Sequence, residues 1–425
     1  MINTNNVISK RFLTVWAGQL LSSVGNGLTA FALGVYVFQM TESAVSYSLI
    51  IFFSFLPSFV LLPFTGVLAD RFDRKKLMII GDIGATTGLI FILAVMIWGN
   101  LQLWHIYFGA ALSSVFTAIQ TPAYKAVVTD LVTEEFYSKA SGLIQLAGSA
   151  QFLISPVVAG ILMSLFDIKI ILIIDIATFF MAAAAVLIIK NQCVAAPVHE
   201  ELKLSHGIAD SIKYLFSKKG ILYLVLLISV VDFFVAMLHS LFGPMLLTLT
   251  DSGTLGIALS VSASGMLISS VIIGVWGLKR NKIATVSLFL MLAGLFYALM
   301  GIPTNVTLII VFGFLFFSTL PYVNAGLEVL IRSNVANEKQ GRVWALVYAI
   351  SQAGFLLALA SAGFLADRLF CPLFESGGAL SQTFGMIIGT GQSRGIGFMF
   401  MISGILISLI AVILGRIKTI KSLEM

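Results

Sequence analysis

Residues 44–98 read AVSYSLIIFFSFLPSFVLLPFTGVLADRFDRKKLMIIGDIGATTGLIFILAVMIW. Two apolar stretches, 44–69 and 77–98, flank a short charged segment from Asp70 to Lys76. A hydrocarbon layer about 30 Å thick is crossed by about 20 apolar residues of helix. Each stretch is long enough, and an open strand pair would leave bare backbone facing lipid. The segment therefore reads as two membrane-spanning helices joined by a tight basic turn.

Working outward, the same reading gives twelve runs: 12–38, 44–69, 77–98, 104–128, 139–165, 170–189, 220–249, 254–278, 283–302, 306–331, 342–368 and 394–415. The first run follows Lys10 and Arg11 but is too long for a signal peptide and lacks a small-residue cleavage site. Of the 425 residues, 59% are hydrophobic and 10% charged, against about 25% charged in soluble domains. With a mean hydropathy of +1.04, there is too little polar surface for a water-soluble particle. That excludes a soluble enzyme, a DNA-binding protein and a disordered tail. The 37 glycines fit close helix packing in lipid. Cys193 and Cys371 are too few for a disulfide framework or a zinc site.

The net charge of +6 reads as topology rather than as affinity for nucleic acid. With the N-terminus in the cytoplasm, all but three of the 25 Lys and Arg residues fall on the inner side. The exceptions are Lys169, Arg368 and Arg394. This positive-inside pattern places both termini in the cytoplasm.

The longest inner connection divides the chain into a six-helix bundle at 1–190, a linker at 191–219 and a second six-helix bundle at 220–425. Within the linker, Ile208, Ile212, Leu215 and Phe216 recur at helical spacing between polar residues. Ser205 to Lys219 reads as an interfacial helix, the alternative being a plain linker. A shift of 203 residues sets Gly160-Ile161-Leu162 on Gly363-Phe364-Leu365 and Lys125 on Glu328. Two similar six-helix halves with a site between them is a transporter plan.

Gly66-Val67-Leu68-Ala69-Asp70-Arg71-Phe72-Asp73-Arg74-Lys75 closely resembles the loop motif G-x-L-a-D-r-x-G-r-k of the major facilitator superfamily. Asp73 replaces the usual Gly, and D-R-x-D-R is similar to the macrolide-efflux branch. Physically, Gly66 admits a neighbouring helix. Asp70 suits the free N–H groups at a facing helix start, and Arg74 and Lys75 add charge partners. The resemblance implies a latch onto the eleventh helix, which begins near Gly341-Arg342, with Arg71 in the motif. Asp82, a turn or so into the third run from the cytoplasm, reads as joining the Asp70–Arg74 network in a structural role. Gln151 to Gly160 is similar to a degraded antiporter motif retaining Pro156 and Gly160, with Ser155 and Ala159 as small substitutes. Pro156 removes a backbone bond and bends its helix. Gly363-Phe364-Leu365-Ala366-Asp367-Arg368 and the later Gly389, Gly391 and Arg394 to Gly397 are likewise similar to macrolide-efflux members. The resemblance covers essentially the whole chain and implies an all-α membrane protein of twelve transmembrane helices in two pseudo-symmetric six-helix bundles.

A mid-membrane carboxylate costs about 2.5–3.5 kcal/mol on insertion scales and calls for a reason. Asp232 lies well inside the seventh run, with Ser229 and His239 on its face. Asp232 is the first candidate for proton coupling, with His239 as relay. The alternative is a structural acid capped by a neighbouring helix. Asp175 lies a few residues inside the outer boundary and reads as equally suited to orient the surface. Lys125 and Glu328, at matching inner ends of runs four and ten, form a candidate gate pair, the alternative being two solvated helix ends. Gln19, Ser22, Ser23, Asn26 and Thr29 form a stripe on the first run. Thr117, Gln120, Thr121, Tyr124, Gln145, Ser149, Tyr348 and Gln352 lie on other runs. Such polar groups among many aromatics fit a cavity for an amphiphilic molecule, or else hydrogen bonds between packed helices.

The chain has no phosphate-binding glycine loop, no H-E-x-x-H and no nucleophile elbow. The reading is a monomeric, non-enzymatic carrier in the bacterial inner membrane, without cofactor and driven by the proton gradient. It exports a hydrophobic or amphiphilic compound: a macrolide-like drug, a siderophore or a metabolite. Alternatives are a lysophospholipid carrier or uptake facilitator of the same fold, and a non-transporting scaffold or receptor.

Overall fold

The computed structural model describes residues 10–133, 136–188, 213, 215, 217–278, 281–335, 340–375 and 377–424. The side chains of residues 66, 67, 69–71, 138, 341, 342, 387 and 418 also lie outside that set. Among the described residues the chain is all helix, turn and loop, with no strand. The long helices are α1 (Lys10–Thr41), α2 (Ala44–Arg71), α3 (Arg74–Trp98), α4 (Leu103–Leu131), α5 (Tyr137–Leu153), α6 (Ser155–Leu165) and α7 (Ile168–Ile188). They continue with α8 (Lys219–Leu247), α9 (Ser252–Trp276), α10 (Lys282–Met300), α11 (Val306–Asn334) and α12 (Gln340–Leu365). A π-helical turn (Ala366–Phe370), short helices α13 (Cys371–Phe374) and α14 (Gly385–Ile388), α15 (Gln392–Leu414) and α16 (Lys418–Lys421) complete the order.

Eleven of these segments are long and apolar enough to cross a membrane. The remaining long helix, α4, falls short in hydropathy because Ser113, Ser114, Thr117, Gln120, Thr121 and Lys125 interrupt its apolar residues. The fifth expected span is two helices, α5 and α6, divided at Ile154. The cause is Pro156, which has no N–H to offer the carbonyl of Phe152. Most of the interfacial helix expected over 205–219 lies outside the described residues.

Contacts divide the chain into two units. The first comprises Met1–Thr41, Leu49–Glu200 and Ser252–Ile257; the second comprises Glu42–Ser48, Glu201–Asp251 and Ala258–Met425. In the first, α1 packs on α5, α6 and α7, and α3 packs on α4 and α7. Small residues set the separations: a Cβ on Gly88 of α3 would lie 2.1 Å from the carbonyl oxygen of Gly109 on α4. The second unit is built on α8 against α12 and on α10 against α11 and α15. There a Cβ on Gly301 would lie 2.0 Å from the carbonyl oxygen of Gly397. Near-contact of backbones replaces the hydrophobic effect as the cohesive force between helices in lipid.

The first turn of α2 is grouped with the second unit for a specific reason. Asp367, in the π turn after α12, accepts from Ser43 Oγ (2.7 Å), Ala44 N (3.1 Å) and Val45 N (3.0 Å). Its carboxylate thereby satisfies backbone donors that a helix start leaves without intrahelical partners. Gly363 lets α12 come this close, since a Cβ there would lie 2.5 Å from the carbonyl oxygen of Ala44.

Candidate functional site

In the second unit the polar residues of α8 meet α12. Ser229 Oγ donates to the carbonyl of Ile350 at 3.0 Å, and Gly354 makes room for that hydroxyl. One turn on, Asp232 accepts a short hydrogen bond from Ser351 Oγ. Ser351 is buried and Asp232 half-buried. Among the described residues this is the only hydrogen bond of Asp232, and no cation pairs with it. His239 is exposed, its ring 6.5 Å from that of Phe355; it makes no hydrogen bond to Asp232. The phenol of Tyr297 donates to the carbonyl of Phe234 at 3.1 Å and fixes the adjoining stretch of α8.

In the first unit a second carboxyl is buried more completely. Asp82 of α3 is 1% exposed. Its Oδ2 accepts from Gln19 Nε2 of α1 at 3.1 Å, and Gln19 Oε1 accepts from Gln120 Nε2 of α4 at 2.6 Å. Three helices thus share one polar chain. Asp82 was expected to join an Asp70–Arg74 network. Instead Arg74 pairs with Asp130 at 2.7 Å, because Asp82 sits two turns further along α3 and turns toward α1. Asp175, for which an orienting surface role is one of two even readings of the sequence, is fully buried. It lies against Gly25 and accepts from Thr178 Oγ1 at 3.3 Å. Its face of α7 packs on α1, and depth along the helix alone did not reveal that.

The remaining candidates are dispersed. Gly66, Asp70, Arg71 and Arg342 lie outside the described side chains. Asp73 caps α3, accepting from Lys75 N (2.9 Å) and Lys76 N (3.2 Å), and Lys75 is buried. Ser155 Oγ donates to the carbonyl of Val24 in α1 at 2.9 Å, opposite Gly27. Pro156 and Gly160 are buried beside it, with Gly160 against the start of α9. Lys125 is exposed, and Glu328 pairs with Arg332 at 2.6 Å on its own helix. Of the polar stripe, Gln19, Ser22, Gln120 and Tyr124 are buried. Asn26, Thr117 and Gln352 are half-buried, and Gln145 and Tyr348 exposed. Gln19 is therefore engaged with both Gln120 and Asp82.

Asp367 lies in the stretch similar to macrolide-efflux members, and its own surroundings in the sequence assign it no role. The available signal was the repeat of G-x-L-A-D-R at Gly66–Arg71 and Gly363–Arg368, with Ser43 standing one residue before α2. Among the described residues no cluster of His, Cys, Asp or Glu is suited to a metal ion.

Comparisons with known proteins agree with this architecture. Macrolide efflux protein A of Streptococcus pyogenes is 26% identical over 422 residues, covering 98% of each chain. The enterobactin exporter EntS of Shigella flexneri is 28% identical over 153 residues, covering 36% of this chain and 37% of its own. Among solved structures, a bacterial homologue of the human lysosomal transporter Spinster, inward-facing and unoccupied, superposes with a TM-score of 0.73 at 13% identity. That match covers 97% of this chain and 98% of the other, and shows the shared fold. The family model of the Major Facilitator Superfamily matches residues 15–358. With its membrane-spanning helices and two units, the chain belongs to the Major Facilitator Superfamily and is a multi-pass membrane transporter whose relatives include efflux proteins.

Proposed function

We propose that the protein is a proton-coupled exporter of hydrophobic or amphiphilic small molecules, with macrolides as the first cargo class to test. The observation that carries this is the end-to-end correspondence with macrolide efflux protein A. It is supported by a half-buried carboxyl, Asp232, whose described partner is a neutral hydroxyl and not a cation. An acid held that way in a membrane protein can exchange a proton as its surroundings change. In this reading Asp232 is the coupling group and His239 exchanges protons with the exposed surface. Lys125 and Glu328 pair in one state of the carrier and part in the other, which biases the equilibrium between them. The protein works as a monomer in the bacterial inner membrane with both termini in the cytoplasm, by alternating access.

The test is uptake of labelled erythromycin into inverted membrane vesicles, with and without an imposed proton gradient. Gradient-dependent uptake is expected. Uptake indifferent to the gradient identifies a facilitator, and no uptake of any amphiphilic compound sets the export reading aside.

A further inference from the structure

We propose that Asp82 is a second proton-binding group, lying in the first unit, and that its protonation state is passed through Gln19 to Gln120. The inference rests on the carrier being proton-coupled and adds a site to that reading.

The geometry is specific. Asp82 stands eight residues, or about 12 Å, into α3, and is 1% exposed. Its two oxygens are unequal. Oδ2 accepts from the Gln19 amide, whereas Oδ1 is buried with no hydrogen-bond partner among the described residues. Gly81 brings α4 alongside at this level: a Cβ there would lie 2.5 Å from the Cβ of Gln120. Gln19 and Gln120 are buried as well, so the chain is sheltered along its length.

The titratable groups around it are engaged elsewhere or neutral. On α3, Arg74 pairs with Asp130 of α4, and Lys75 lies two turns before Asp82. On α4, the Tyr124 hydroxyl is buried in the cluster that contains Leu77 and Met78. On α7, Asp175 accepts from Thr178. On α1, Lys10 and Arg11 lie at the helix start, more than two turns from Gln19. One neutral amide donor thus serves a carboxyl with two acceptor oxygens.

A proton arriving at Oδ1 forms one O–H bond, converts carboxylate to carboxylic acid, and requires no other reactant. The relay follows from hydrogen-bond strength. A donor facing an ionised acceptor is held about twice as strongly as one facing a neutral acceptor. Loss of the proton therefore tightens the Gln19–Asp82 bond. This locks the Gln19 amide with Oε1 toward Gln120, and so engages the Gln120 amide. Gain of the proton loosens the chain and releases the Gln120 amide on the α4 face that carries Thr117. Cargo binding at Gln120 and proton binding at Asp82 then influence each other reciprocally.

The test uses the purified full-length protein in detergent, weakly buffered, with a pH indicator and erythromycin as probe. The wild type is expected to change its bound protons on adding erythromycin. Asp82→Asn should lower that change by about one proton per carrier and delete a protonated-carboxyl C=O band from the alkaline-minus-acid infrared difference spectrum. Gln19→Leu should keep the band but move it to higher frequency, because the carbonyl loses its donor. Unchanged proton stoichiometry and spectrum in Asp82→Asn overturn the proposal. If that variant does not fold, an unmoved band in Gln19→Leu overturns it instead. Should the wild type exchange no protons and transport ignore the gradient, the coupling reading falls. The infrared measurement still decides whether Asp82 holds a proton.

Discussion

Each unit holds an acid with one neutral partner, and the two partners differ in kind. Asp232 faces the hydroxyl of Ser351; Asp82 faces the amide of Gln19. A hydroxyl both donates and accepts, and can serve an ionised or a protonated carboxyl by rotating its hydrogen. An amide has a fixed donor end and a fixed acceptor end: with the proton on Oδ1, Oδ2 still accepts from Gln19, and what changes is the strength of that bond. The second unit thus surrounds its acid with a partner that tolerates either state. The first links its acid to a chain across α1, α3 and α4 that registers which state is present.

The contrast can be broken most decisively at the acids. Asp232→Asn should reduce gradient-driven erythromycin uptake in inverted vesicles by at least about tenfold, in the range of lost site-to-site coupling, with erythromycin binding retained. Full gradient-driven activity in this variant removes Asp232 from the mechanism.

Glycine substitutions test each pairing through its packing. Gly81→Ala drives α3 off α4 at Gln120, and Gly354→Ala places a methyl 2.6 Å from the carbonyl oxygen of Ser229. Each should cost about 1–3 kcal/mol of stability as overpacking, read as a lower thermal midpoint in detergent. Neither site yields cheaply, because Gln120 Cβ is tied to its own backbone and the carbonyl oxygen of Ser229 is backbone. Equal midpoints for both variants and the wild type would mean the helices are less tightly set than described.

Ser351→Ala removes a single neutral donor and should cost about 1 kcal/mol, with Ser351→Thr restoring it. Proton release on erythromycin addition should change less in Ser351→Ala than in Gln19→Leu. The reverse order erases the distinction between the two partners.

The smallest effect belongs to the charges at the helix ends. Lys125→Glu and Glu328→Lys should each slow transport modestly, and the double exchange should restore part of it, for a coupling below about 1 kcal/mol between exposed groups. Glu328→Lys also sacrifices the pair with Arg332, so rescue is read against Arg332→Ala in the same background. Absence of any rescue means the two residues never meet.

Hydropathy made the helices legible to within a few residues, because lipid fixes both the length and the composition of a span. Pro156 likewise announced the break between α5 and α6. The partners of the acids were another matter. Asp82 and Gln19 are 63 residues apart, and nothing in the periodicity of α3 says which neighbour its acid will meet. Asp175 shows the same gap: its depth in the span was readable, whereas its azimuth was set by Gly25 on another helix. Asp367 was readable in principle, since Gly363–Arg368 repeats Gly66–Arg71 and Ser43 stands one residue before α2. The missing step was to treat the repeated acid as a cap for a helix start more than 300 residues away.

Asp73 stands where many members of the superfamily have glycine. Its φ is −58°, a conformation any residue adopts, so nothing is lost by giving up a hydrogen for a carboxylate. What is gained is an anchor for the first turn of α3. Since each helical residue advances about 100°, fixing the origin of that helix also fixes the compass bearing of everything downstream. A single letter in a surface loop thereby aims an acid nine residues away at a glutamine on a different helix.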